Sequence, residues 1–146
     1  MKFLSIRQPY PSLIIAGFKK IENRDWSSLP RCREFVAIHA GLKRADLEAK
    51  EIRRVTKAIG QPIDTLPHYG VTGAIIGVAW LADAWWVWNV PKAIKRTQRA
   101  FICGDACLHF SEAWVLPEPI PMKGRLGLVE LPKEIERLVS AQFRFS

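Results

Sequence analysis

The segment Val71 to Leu81, Val-Thr-Gly-Ala-Ile-Ile-Gly-Val-Ala-Trp-Leu, constrains the fold more than any other stretch of this chain. Its apolar run follows a loop marked by Pro62, Pro67 and Gly70 and reads as a long buried strand. Gly73 and Gly77 permit bending, and bends of that kind help a sheet curl and close. Around it the pattern predicts further strands at Phe3–Arg7, Ile21–Trp26, Glu34–His39, Glu112–Leu116 and Gly127–Leu131. Helices are expected from Pro9 to the stop at Gly17, from Asp46 to Ile59 with Gly60 as its C-terminal cap, over Lys92–Ala100, and after Pro132. The expected class is therefore α+β, a small mixed β-barrel of about six strands with flanking helices.

A chain of 146 residues suits one domain, here taken as 1–146. Its hydrophobic fraction of 49% and charged fraction of 25% argue against both disorder and a membrane protein. Arg7, Gln8 and Pro9 interrupt the opening apolar run before a signal peptide can form. Three cysteines, an odd number, suit a reducing compartment, so a cytoplasmic location is expected.

The net charge is +8, from 22 Lys and Arg against 14 Asp and Glu, and favours a polyanionic partner such as nucleic acid. Lys92, Lys95, Arg96 and Arg99 form a stretch free of acids. A second basic stretch runs from Lys43 to Lys57. Either stretch alone also suits a solvated helix face.

Gly17-Phe18-Lys19-Lys20-Ile21-Glu22-Asn23-Arg24 matches Gly-x-Lys-x-x-Glu-x-Arg, the signature of the ASCH domain family of the PUA-like superfamily, which this chain resembles. Leu4-Ser5-Ile6-Arg7-Gln8-Pro9-Tyr10 before the signature is similar to the family's opening strand and helix. In the family's order follow Ala37-Ile38-His39-Ala40, then Gly73 to Val78, then Ala113 to Leu116 with Ile120 to Leu128. The resemblance implies a PUA-like barrel with a cleft between barrel and helices, proposed in the family as a site for RNA or modified nucleosides. Function still has to be argued from the site.

In an extended strand Ile21 faces the core while Glu22 and Arg24 share the opposite face, which would line the cleft. The direction of Lys19 follows from the resemblance, because the turn after Gly17 breaks strand parity. Arg24 offers a planar fork for phosphate, Lys19 a mobile cation, and Glu22 an acceptor for a base amino group or a general base. The competing reading is an internal Glu22–Arg24 ion pair that holds the barrel, with Lys19 solvated. Arg7, Tyr10, Lys20, Trp26, Trp86, Lys123 and Arg125 complete the candidate binding set, the aromatics as stacking platforms and the cations for phosphates.

Cys103, Cys107 and His109 lack the usual zinc spacing and a clear fourth ligand, so no metal is expected; His39, ending an apolar strand, reads as a hydrogen-bonded structural residue. Serine-hydrolase, nucleoside-triphosphatase and dinucleotide fingerprints are absent.

Three functions are compatible with this pattern. The first is a cofactor-free module that binds single-stranded RNA or a nucleotide. The second is a hydrolase with Lys19 and Glu22 as catalytic residues, either a ribonuclease that could use a divalent metal or an amidohydrolase. One ASCH subfamily deacylates acetylcytidine with a Lys-Thr-Glu constellation; this chain has Glu22 in place of the Thr, and only Asp83 and Glu112 offer a second acid. The third is a protein-interaction module, from the family's occurrence inside coactivators.

Overall fold

A computed structural model describes residues 1–143 of the chain. Six strands, β1 (Lys2–Ile6), β2 (Ile21–Arg24), β3 (Glu34–Ala40), β4 (Ala74–Trp86), β5 (Ala106–Pro121) and β6 (Leu128–Glu130), form one sheet in the order β2-β5-β4-β3-β1-β6. β1 and β3 run parallel and the other neighbours antiparallel. Four helices flank the sheet: α1 (Tyr10–Ile15), α2 (Ala49–Ile59), α3 (Lys92–Gln98) and α4 (Lys133–Gln142). The class is α+β, and the sheet curls into a half-barrel. Although four strands separate β2 from β6 in the sheet order, Arg24 on edge strand β2 donates to the Ser5 carbonyl on β1 at 3.0 Å.

The curl comes from the two long central strands. Pairing of β4 with β5 slips between Ile75 and Gly77, between Trp80 and Leu81, and between Leu81 and Asp83. Each slip bends the strand and increases its twist. At Gly77 a Cβ would collide with the Ile15 side chain and the Trp114 carbonyl, so glycine lets α1 lie directly on β4.

Alternation divides the core between two faces, as a period of two requires. Leu4, Ile6, Ile38, Ile76 and Phe110 pack inside the curl with Ile14 and Ile15 of α1. Phe3, Ala37, Ile75 and Leu116 face the other way, where Val139 of α4 closes over them.

The two central strands differ most from the sequence expectation. β4 starts at Ala74 and continues to Trp86; beyond Leu81 it has lost β3 as a neighbour and pairs with β5 alone, so its residues are half-buried and its apolar pattern weakens. β5 runs for 16 residues where five were expected; Pro117 and Pro119 hid its C-terminal end, and it also begins earlier, at Ala106. Both prolines fall where the pairing jumps from Val115 to Ile120, so their missing N–H groups break no ladder bond there. α2 begins at Ala49 and ends at Ile59, capped by Gly60, which takes a left-handed φ of 75°. Among the described residues no helix is long and apolar enough to cross a membrane.

Candidate functional site

Gly17, at a φ of 85°, stops α1, and the backbone N–H groups of Phe18 and Lys19 both return to the Leu13 carbonyl. This tight turn drops Lys19 into the interior, where it is 3% exposed. Its Nζ donates to the Ile21 carbonyl and to Glu22 Oε1, the latter at 3.0 Å. Glu22 Oε2 takes the Arg24 guanidinium at 3.0 Å, and the same Nη2 reaches the Ser5 carbonyl. The Tyr10 and Phe101 rings flank the Lys19 ammonium at 5.7 and 6.0 Å. Charges this deep need partners, and the order cation, carboxylate, cation supplies them. The internal Glu22–Arg24 pair exists, but Lys19 is not solvated; it is the buried end of the chain of charges.

Above this floor lies a cleft of 680 Å³. Ser5 and Arg7 at the exit of β1, Tyr10 at the start of α1, and Glu22 and Arg24 of β2 line one part of it. Two connections supply the rest: Leu42 and Lys43 after β3, and Lys123 to Leu126 between β5 and β6. Among the described residues, Arg7, Lys43, Lys123 and Arg125 take part in no ion pair. Leu42 and Leu126, 76% and 97% exposed, stand bare at the mouth.

Both connections are fastened. Gly41 N–H donates to the Ile6 carbonyl and Ala45 N–H to the Gln8 carbonyl, which holds Lys43 between them beside β1. In the second connection Arg125 N–H donates to Ser5 Oγ at 3.2 Å, and His39 Nε2, 2.6 Å from the Met122 carbonyl, is thereby assigned the ring proton. Between these anchors a Cβ on Gly124 would lie 2.9 Å from Ser5 Oγ and 3.0 Å from His39 Cε1. His39 is fully buried; burial pulls its pKa below the usual 6.5, and the bond to Met122 opposes the shift only in part. It is a hydrogen-bonded structural histidine beneath the loop that carries Lys123 and Arg125.

Next to the cleft is a second groove of 570 Å³, lined by Asp25, Trp26, Ser27, Ser28, Gly127 and Leu128 among others. The Arg24 guanidinium lies 5.9 Å from the Trp26 ring centroid, at the boundary between the two.

The structure thus gathers Arg7, Tyr10, Glu22, Arg24, Lys123 and Arg125 around one cleft, with Lys19 under its floor and Trp26 at its edge. Two candidates lie elsewhere. Lys20 points away from its neighbour Lys19 and donates to the Ser111 carbonyl at 3.1 Å. Trp86 is carried off by the extension of β4 and stacks on Trp88 with centroids 5.7 Å apart. Neither acid weighed as a partner for Lys19 lines the cleft: Asp83 approaches His109 at 3.6 Å, and Glu112 sits opposite Trp80 in the β4–β5 ladder. Among the described residues no group of three or more His, Cys, Asp or Glu side chains could hold a metal ion. Lys43 is a cleft residue that belonged in the sequence to an undifferentiated basic stretch. Leu42 and Leu126 gave no signal, because a single leucine in a connection is ordinary.

The backbone has solved counterparts. The ASCH domain of Zymomonas mobilis superposes with a TM-score of 0.62 over 98% of this chain and 96% of that one, at 15% sequence identity. A serine-to-alanine variant of the same domain gives 0.57 over 97% and 96%, and a tyrosine-to-phenylalanine variant 0.53 over 95% and 96%, both at 15% identity. The chain has the ASCH fold. No profile of a known family matches the sequence, and no curated protein does. At this identity the ASCH likeness concerns the path of the chain, and the chemistry of the cleft rests on the residues described above.

Proposed function

We propose that the cleft binds unpaired RNA or a nucleotide by its phosphates. The observation that carries this reading is the convergence of Arg7, Arg24, Lys43, Lys123 and Arg125, from four separate parts of the chain, on a cleft whose one lining carboxylate, Glu22, is already paired on both oxygens. Such a surface attracts polyanions and repels cationic ligands. Within it Tyr10 offers a ring for stacking, and the remaining lone pairs of Glu22 can accept from a base amino group. This reading needs no cofactor. A cytoplasmic protein that meets RNA in solution is the corresponding setting.

The hydrolase reading draws on the same Lys19 and Glu22, with a divalent metal entering only for a ribonuclease. It has less support, because the Lys19 ammonium is bonded to Glu22 and to a carbonyl and lies beneath the cleft rather than in it. A role in chemistry would first require those contacts to break.

The test is fluorescence anisotropy of a short 5′-labelled oligocytidylate at several salt concentrations. Five phosphate contacts to a single strand give a log–log slope of roughly −3.5. Lys123→Ala and Arg125→Ala should each reduce that slope by about 0.7, whereas Lys133→Ala, on the exposed first turn of α4, should leave it unchanged. A slope near zero, or an equal loss for Lys133→Ala, would overturn the assignment of the cleft.

A further inference from the structure

We infer that the binding site extends past Arg24 into the second groove, which takes a nucleobase, so that the ligand is an unpaired oligonucleotide of at least two residues rather than a free nucleoside. This rests on the nucleotide reading of the first cleft and narrows its ligand class.

The two grooves run between the same two pieces of chain. Glu22 to Arg24 wall the first and Asp25 to Pro30 the second; on the other side Lys123 to Leu126 wall the first, and Gly127 and Leu128 the second. A ligand threaded between these segments passes from one groove into the other without leaving the surface.

Their chemistry differs in the way the parts of a nucleotide differ. The first groove is lined by five Lys and Arg side chains. The second has none, and offers Trp26, two serines, an apolar wall of Leu29, Pro30 and Leu128, and the carboxylate of Asp25. Asp25 disfavours a phosphate there and suits the amino edge of a base, while an aromatic ring beside apolar walls suits its flat face. Trp26 is half-buried and packs part of its surface on the core inside the curl, which holds the ring in place as a platform.

Arg24 marks the junction. Its guanidinium lies over Trp26, so a phosphate on Arg24 and a base on Trp26 belong to adjoining parts of one strand. Its Nε is buried without a partner among the described residues, although Nη2 is engaged by Glu22 and Ser5. A buried donor left unpaired is unfavourable, and a phosphate oxygen at the junction would satisfy it once the guanidinium turns.

The experiment is calorimetric titration of the full chain with cytidine 3′-monophosphate and with the dinucleotide CpC. CpC carries less negative charge than the monophosphate, so a gain in its affinity cannot be electrostatic. The wild type should bind CpC at least tenfold more tightly. In Trp26→Ala the ratio should fall to about two or less. Ser28→Glu, at an exposed position that cannot disturb the core, should lower the ratio likewise by placing a second negative charge in the groove. A wild-type ratio near one, with the monophosphate still bound, would overturn the two-groove site and leave the nucleotide reading standing; so would a tenfold ratio kept by both variants. Absence of binding by either ligand would overturn the nucleotide reading and this inference together.

Discussion

Two regions of the molecule treat the same charged groups in opposite ways. At the end of the sheet formed by β3, β1 and β6, with α4 against it, cations meet carboxylates: the Met1 ammonium is bonded to Glu136 and lies 3.5 Å from Glu130, and Lys2 lies 3.3 Å from Glu34. The Glu136 contact is the main reason the Met1 ammonium titrates above its usual 8.0. At the cleft mouth Arg7, Lys43, Lys123 and Arg125 meet none among the described residues; the one lining carboxylate, Glu22, is shared by Lys19 and Arg24 in the floor beneath them. Like charges gathered on one concave surface repel one another, and the fold tolerates them. The difference teaches that charge at the edge serves the fold, whereas charge at the mouth is left for something from outside.

The sharpest way to break this comparison is to remove a carboxylate from each region. Glu22→Ala leaves Lys19 buried with only the Ile21 carbonyl and should destabilise the chain by about 3–5 kcal/mol, as loss of one member of a buried pair does. Glu130→Ala removes a 70% exposed partner of Met1 and should change stability by less than about 1 kcal/mol. Urea denaturation of both variants decides the matter. Equal losses would mean that the floor is no more dependent on its ion pairs than the edge is.

A smaller effect is expected at Gly124. An added methyl would press on Ser5 and His39, two side chains that fasten the connection carrying Lys123 and Arg125. Gly124→Ala should lower stability by about 1–3 kcal/mol, in the range of overpacking, and weaken oligocytidylate binding several-fold although no charge is removed. Unchanged affinity would show that the mouth does not depend on where this connection sits.

How much of this was legible in the sequence depends on the range over which each feature is decided. Strand parity from Ile21 to Arg24 placed Glu22 and Arg24 on one face, and the caps at Gly17 and Gly60 ended helices where expected, because period and φ are local properties. The length of β5 was not legible. Pro117 and Pro119 interrupt the pattern at its C-terminal end, and only the jump in pairing with β4 makes room for them. For the same reason the Trp85 to Trp88 cluster could not be placed, since the extension that carries Trp86 away from the cleft depends on a partner strand 20 residues further on. Lys19 and Lys20 show the limit most clearly: adjacent and chemically alike, one is buried under the floor and the other reaches Ser111, and a tertiary turn decides which.

The smallest expected effect compares the two buried histidines. Burial lowers the pKa of both His39 and His109 below 6.5; at His109 a contact with Asp83 opposes the shift and Lys20 adds slightly to it, whereas at His39 only the Met122 carbonyl opposes. A histidine whose folded pKa is depressed takes up its proton first in the unfolded chain. Its contribution to stability is therefore fully present above about pH 6.5 and is lost as the pH falls toward the folded value. For His39 the incoming proton would go to Nδ1, which has no partner in the described residues and lies beside the connection bearing Lys123 and Arg125, so the new charge would arise next to other cations. Urea midpoints measured from about pH 7 to about pH 5.5 should decline in the wild type and decline less in His39→Gln, whose amide can still donate to Met122. His109→Gln should flatten the curve less, because Asp83 already compensates that ring. If His109→Gln flattened it more, the loop over His39 would not be the place where acid first loosens the fold.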